Sequence, residues 1–166
     1  MTHFGDRLTE VNRRTATPLC MGIDPHISMI PTIFGSVQDG AASDATIRTI
    51  DDFSMACVEQ AIGNVAAIKP QAAFFEQQGP AGMQILQNLG RAAIDAGLLV
   101  IMDAKRGDIG STSTAYAAGW IGHDAPFPSD ALTVNPWLGI DTLAPFLERA
   151  DATGSGLFIL NRTSNP

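Results

Sequence analysis

The sequence predicts a parallel α/β fold of the TIM-barrel type, with five β/α beats in a single domain over residues 1–166. Three observations predict it. Short apolar runs alternate with helical segments in five beats, the pattern of consecutive βαβ units. Each apolar run ends in polar or charged residues, which puts the chemistry at the carboxyl ends of the strands. Those ends supply Asp24, Lys69, Asp103 with Lys105, Asn135 and Ser164, a set that a barrel gathers on one face and an open doubly wound sheet spreads along an edge.

Phe4, Leu8 and Val11 recur at helical spacing among charged residues, predicting an amphipathic helix over 3–14 suited to lidding the bottom of a barrel. The apolar run 19–23 is a first strand, and Pro25 blocks helical continuation from Asp24, leaving that carboxylate at the strand end. Pro31, Gly35 and Gly40 break 26–42 into an extended loop. Ser43 or Asp44 caps a helix reaching about residue 62, with Ile47, Ile50, Phe53, Val58 and Ile62 on its apolar face. The run 64–68 is a second strand that delivers Lys69, whose ammonium either snorkels to the surface or points into a central pocket. A loop or short helical turn over 71–79 precedes a helix at 80–96, with Pro80 in its first turn and Gly97 past its end.

The third strand, 98–102, runs into Asp103-Ala104-Lys105-Arg106-Gly107-Asp108-Ile109-Gly110-Ser111-Thr112. Side chains i and i+2 of a strand share a face, so Asp103 and Lys105 project together. Asp108 falls in the following loop, and Ser111 or Thr112 caps a helix over 112–119. Two carboxylates and an ammonium at one strand end are costly to desolvate unless they neutralise one another or a ligand. The alternative is a solvated turn with an incidental ion pair. A loop at 125–128, a strand at 131–134 ending in Asn135-Pro136, a helix at 139–148, a loop at 151–155 and a fifth strand at 156–160 complete the pattern.

With 166 residues, 45% of them hydrophobic, the chain can bury one core but falls short of the roughly 250 residues usual for a (β/α)8 domain. A net charge of −7 and a pI near 4.7 give no nucleic-acid footprint, and with 10 Lys and Arg residues any anionic ligand has to be held by local cations. Cys20 and Cys57, in apolar contexts and without CxxC spacing, read as two buried thiols in a reducing compartment and not as metal ligands. No apolar run approaches the roughly 18 residues of a membrane span, and the amino terminus lacks the apolar core of a signal peptide. A soluble cytoplasmic protein without membrane contact is expected. Neither a complete GxGxxG nor a P-loop occurs.

Residues 103–117 as a unit resemble the orotidine 5′-phosphate decarboxylases, specifically the bacterial subgroup whose central motif reads like DAKRGDIGSTSxAYA. Residues 19–26 (LCMGIDPH), 133–139 (TVNPWLG) and 162–166 (RTSNP) match in the same order and span nearly the whole chain. The resemblance implies decarboxylation of orotidine 5′-monophosphate to uridine 5′-monophosphate in pyrimidine synthesis, without metal or organic cofactor, by a homodimer with shared active sites. It implies that Asp24 hydrogen-bonds the ribose, that Lys69 bridges the ribose and the charged network, that Asp103 lies beside the substrate carboxylate, and that Lys105 delivers a proton to C6. Asp108, with Ile109 and Thr112, would reach the neighbouring subunit's site, and Ser164 would contact the pyrimidine edge. No role is implied for Asn135.

The resemblance implies a (β/α)8 TIM barrel of which only about the first five β/α units are present, as a partial domain, with the family's phosphate-gripping residues beyond the fifth strand. The chain is therefore expected to be a carboxyl-terminally truncated fragment of a longer enzyme, or to need a partner that covers the edges of strands one and five. Arg162 is either an anion contact or a surface arginine. Two other readings compete: a sugar-phosphate lyase or synthase using DxKxxD around a divalent metal, and a non-catalytic fragment that dimerises or binds nucleotide.

Overall fold

Strands β1 (Cys20–Ile23), β2 (Ala67–Pro70), β3 (Leu99–Arg106), β4 (Ala131–Val134) and β5 (Gly156–Ile159) form one parallel sheet in a computed structural model that describes residues 2–35, 42–162 and 165. The strand order is β1-β2-β3-β4-β5, so every strand pairs with its neighbour in sequence. Barrels are built this way, whereas a doubly wound sheet reverses direction at a switch point. Helices α1 (Phe4–Thr15), α2 (Asp44–Ala61), α3 (Ala72–Glu76), α4 (Gly79–Asp95), α5 (Gly110–Trp120) and α6 (Ala144–Thr153) complete the described elements, with short 3₁₀ turns at Ile27–Met29, Thr32–Phe34 and Ile140–Leu143.

The period-two alternation of the strands sorts their side chains onto two faces. Ile23, Ile68, Val100, Met102, Leu132 and Val134 pack with Ile50 and Val58 of α2, Phe75 of α3, Leu86 and Leu89 of α4, Trp120 of α5 and Phe146 of α6 in one core. On the opposite, inner face, Ala67, Leu99, Ile101 and Ala131 meet Phe4, Leu8 and Val11 of α1 in a second cluster. The amphipathic helix thus closes one end of the inner face, as its spacing predicts. Gly156 of β5 makes room for it, since a Cβ there would come within 2.6 Å of the Phe4 ring.

Ser43 caps α2 by accepting the Thr46 backbone N–H at 3.2 Å, as expected. Other boundaries differ from the sequence reading. β2 begins and ends later, taking Lys69 and Pro70 into the strand. β3 continues four residues past Met102, because β4 pairs with it through Arg106 opposite Val134. Neither Ser111 nor Thr112 caps α5: Ile109 occupies the N-cap, and the Ser113 hydroxyl donates to the Asp108 carbonyl instead. α6 starts only at Ala144, with Pro145 in its first turn, and runs to Thr153, where Gly154 ends it with a left-handed φ of 67°. The cysteines also differ, because Cys20 on edge strand β1 is exposed and Cys57 is half-buried; both are free thiols.

Candidate active site

Asp103 is the hub of the inner face at the carboxyl end of the sheet. Its residue is 7% exposed, which would be prohibitive for a bare carboxylate. Both oxygens are therefore fully engaged. Oδ1 accepts from Lys105 Nζ at 2.6 Å and from the Thr133 hydroxyl at 2.9 Å. Oδ2 accepts from Lys69 Nζ at 3.0 Å and from Gln71 Nε2 at 3.2 Å. Three adjacent strands bring these donors together: β2 carries Lys69 and leads into Gln71, which bridges to Asp103 just past the strand, and β4 carries Thr133.

Lys105 reaches Asp103 through an unusual backbone. Its φ is 48°, in the left-handed region that L residues avoid. The cause is local. Pairing of β3 with β4 is regular at Met102↔Leu132 and resumes at Arg106↔Val134, so the residues between them are out of ladder register. The Lys105 N–H turns instead to the Thr133 hydroxyl oxygen at 2.9 Å.

Burial pushes the Asp103 carboxyl up, but hydrogen bonds from Lys105, Lys69 and Thr133 and the charge of Lys69 outweigh it, holding the group below the usual carboxylate range. Two ammonium groups bound to one carboxylate leave a surplus of one positive charge at the mouth of the site. That surplus is partly open to solvent, with the Lys69 and Lys105 side chains 37% and 46% exposed. The array can attract a singly charged anion and present it with an ammonium proton.

The outlying candidates take separate places. Asp24 is exposed at the end of β1, two residues beyond Gly22, which pairs with Lys69. Asp108 lies in the turn between β3 and α5, its carboxylate accepting from the Ile109 N–H at 2.8 Å and not from either lysine. Ile109 and Thr112 are exposed at the start of α5. The Asn135 side chain accepts from the Trp137 N–H at 2.9 Å, fixing the loop after β4. Ser164 lies outside the described residues, and Arg162 is exposed. The lysines and Asp103 are thus brought together, while Asp24, Asp108, Ile109 and Thr112 are not among the groups hydrogen-bonded to the array.

A cavity of about 500 Å³ lined by Asn135, Pro136, Trp137, Leu160 and Asn161 opens at the same carboxyl ends. A larger one, about 580 Å³, opens between Arg7, His123 and Arg149, away from the array. Its guanidinium groups are already taken. Arg7 pairs with buried Asp130 and Arg149 with Asp124, so the larger volume carries less chemistry.

Residues 17–166 match the orotidine 5′-phosphate decarboxylase / HUMPS family. The chain belongs to that family. It is 46% identical over 166 residues to an orotidine 5′-phosphate decarboxylase of Streptomyces coelicolor, covering all of this chain and 56% of the relative. It is 42% identical over 170 residues to that of Rhodopirellula baltica, with the same coverage. A crystal structure of a Streptomyces avermitilis protein assigned as an orotidine 5′-phosphate decarboxylase superposes with a TM-score of 0.89 at 44% identity, over 100% of this chain and 55% of that one. The chain thus spans about half the length of the curated relatives it matches.

The five parallel strands with the helices between them fit part of the barrel of this decarboxylase family. Gln71 and Thr133 are the members of the array that the sequence reading did not single out. Thr133 was detectable in principle, since it shares a face with Ala131 on a strand whose inner positions point at Asp103. Gln71 gave no signal, because its position depends on where β2 ends. Arg106, the one cation of the motif on the outer face, pairs with Glu76, and its guanidinium lies 4.5 Å over the Trp120 ring, so it anchors α3 and α5 to β3. Among the described residues no group of three or more His, Cys, Asp or Glu side chains could hold a metal ion, and no helix is long and apolar enough to cross a membrane.

Proposed function

We propose that this chain, as a single barrel-type domain over residues 1–166, carries the lysine–aspartate machinery for cofactor-independent decarboxylation of orotidine 5′-monophosphate to uridine 5′-monophosphate. The observation that carries the reading is the Lys69–Asp103–Lys105 array at the strand ends of a chain from this family. In the reaction the C6–carboxylate bond breaks, carbon dioxide leaves, and the electron pair stays in an in-plane orbital at C6 that the ring cannot delocalise. Stabilisation then has to come from positive charge already in place. Lys105 Nζ supplies that charge and passes its proton to C6, while Asp103 faces the substrate carboxylate and repels it more in the ground state than after the charge disperses.

In this proposal Lys69 and Asp24 bind the ribose and Ser164 the pyrimidine edge. The proposal also has two copies of the chain sharing sites through Asp108, Ile109 and Thr112. An exposed apolar rim supports that arrangement: Ile109 is 62%, Trp137 88% and Ile140 74% exposed, more than a water-facing surface is expected to gather in adjoining loops. Two free thiols suit a cytoplasmic setting.

The test is the loss of absorbance as orotidine 5′-monophosphate is converted by the purified chain, with and without phosphite dianion. Turnover that vanishes in Lys105→Ala while the fold persists supports the proposal. A folded wild-type chain without turnover, or a Lys105→Ala variant with near-normal turnover, overturns it.

A further inference from the structure

The Thr133 hydroxyl is used twice. It donates its one proton to Asp103 Oδ1 at 2.9 Å and offers its lone pairs to the Lys105 N–H at 2.9 Å. We propose that Thr133 is a positioning residue that holds the Lys105 ammonium against Asp103 by fixing the backbone of Lys105 in its left-handed conformation. The proposal rests on the reading of Lys105 as proton donor.

The interrupted ladder leaves the Lys105 N–H without a register partner on β4. A strand N–H without an acceptor is costly, and here the acceptor comes from a side chain on the neighbouring strand. A left-handed L residue persists only where its surroundings over-determine it. For Lys105 those surroundings are two contacts that converge on one carboxylate: its own Nζ on Asp103 Oδ1 at 2.6 Å, and its N–H on the hydroxyl that bonds the same oxygen.

The hydroxyl also favours the ionised acid, adding to the hydrogen bonds of Lys105 and Lys69. Its proton points at Asp103 only while that oxygen accepts, so the ring Lys105 N–H, Thr133 hydroxyl, Asp103 carboxylate and Lys105 Nζ closes on the ionised acid. Residue type matters at this position. Valine has the same shape and strand preference but offers neither the proton nor the lone pairs. Serine offers both.

The experiment compares Thr133→Val with Thr133→Ser, with Thr133→Ala as the hydroxyl-free variant should valine not fold. In decarboxylation, Thr133→Val lowers kcat by about 10- to 100-fold and leaves KM within about threefold, as expected for a contact that matters in the transition state. By ¹³C NMR of the carboxyl group, the Asp103 midpoint rises toward the ordinary carboxylate value in Thr133→Val. Thr133→Ser restores both readouts.

The NMR titration needs no turnover. If the wild-type chain does not decarboxylate while the Asp103 midpoint still rises in Thr133→Val and returns in Thr133→Ser, the activity falls and the positioning role stands. Unchanged kcat and midpoint in Thr133→Val, or a Thr133→Ser variant as impaired as valine, overturns the proposal.

Discussion

Replacing Lys105 by Ala and by Gly separates what its backbone does from what its amine does. Both changes delete the ammonium bonded to Asp103 Oδ1 at 2.6 Å and leave Asp103 with Lys69, Gln71 and Thr133. They differ at a φ of 48°. A left-handed conformation costs an L residue about 1–2 kcal/mol and glycine almost nothing. Glycine loses about 0.4–1 kcal/mol of that advantage through the greater freedom of its unfolded chain. The balance leaves Lys105→Gly more stable than Lys105→Ala by about 1 kcal/mol, or about 2–4 °C in Tm for a chain of this length. Paired thermal melts, with urea titrations to confirm equal slopes, measure the difference directly. Both variants lack the ammonium that the proposed function makes the proton donor, so under that proposal neither turns over substrate. An alanine variant as stable as the glycine one would show that Lys105 is not held left-handed, and the account of its backbone would fail.

Because the Asp103 carboxyl is held below its ordinary range, the stability it contributes is complete above the unfolded carboxylate value and is lost as pH falls through the folded one. Urea midpoints therefore drop below about pH 4, and Asp103→Asn flattens that part of the profile; identical profiles would contradict the shift. Gly82→Ala places a Cβ about 2.0 Å from the Phe75 carbonyl oxygen, forcing α3 and α4 apart, and lowers stability by about 1–3 kcal/mol in a denaturant titration. Arg7→Met removes the guanidinium from Asp130, which is 1% exposed. Denaturation of this variant shows a loss of about 2–4 kcal/mol, and the loss shrinks when Asp130→Asn is added.

The parts of the fold that the sequence reveals are those where local chemistry and tertiary context agree. The stripe of Phe4, Leu8 and Val11 announces a helix with one apolar face, and that face is buried. The runs at β1, β4 and β5 are short, apolar and bounded by turn residues, so their extents differ by a residue at most from the reading. β3 shows the opposite case. Its charged second half looks like a loop by composition, yet it stays in the sheet because Arg106 pairs with Val134. The same neighbours explain the site. Asp103 and Lys105 were legible from period-two spacing alone, and the same spacing puts Thr133 on the inner face with Ala131, but the contact of Gln71 depends on where β2 ends and on its pairing with β3. Asp108 lies one turn of backbone further on, where its carboxylate accepts from the Ile109 N–H and stays apart from the lysines of its own chain.

The position of α1 has a further consequence, for the order in which the chain is made. The helix is translated before every strand it packs against, and its farthest partners come much later: its Phe4 ring meets Phe158 at 5.9 Å between centroids, and Arg7 finds Asp130, 123 residues downstream. At about 5–20 residues per second, roughly 6–25 s pass between synthesis of Arg7 and of its partner. During that interval β2 and β3 can already pair and offer the stripe Ala67, Leu99 and Ile101, but its contacts on β4 and β5, Ala131, Gly156 and Phe158, are still missing. Docking of α1 is thus completed only after β4 and β5 are made, and until then part of its apolar stripe stays open to chaperones or to misassociation.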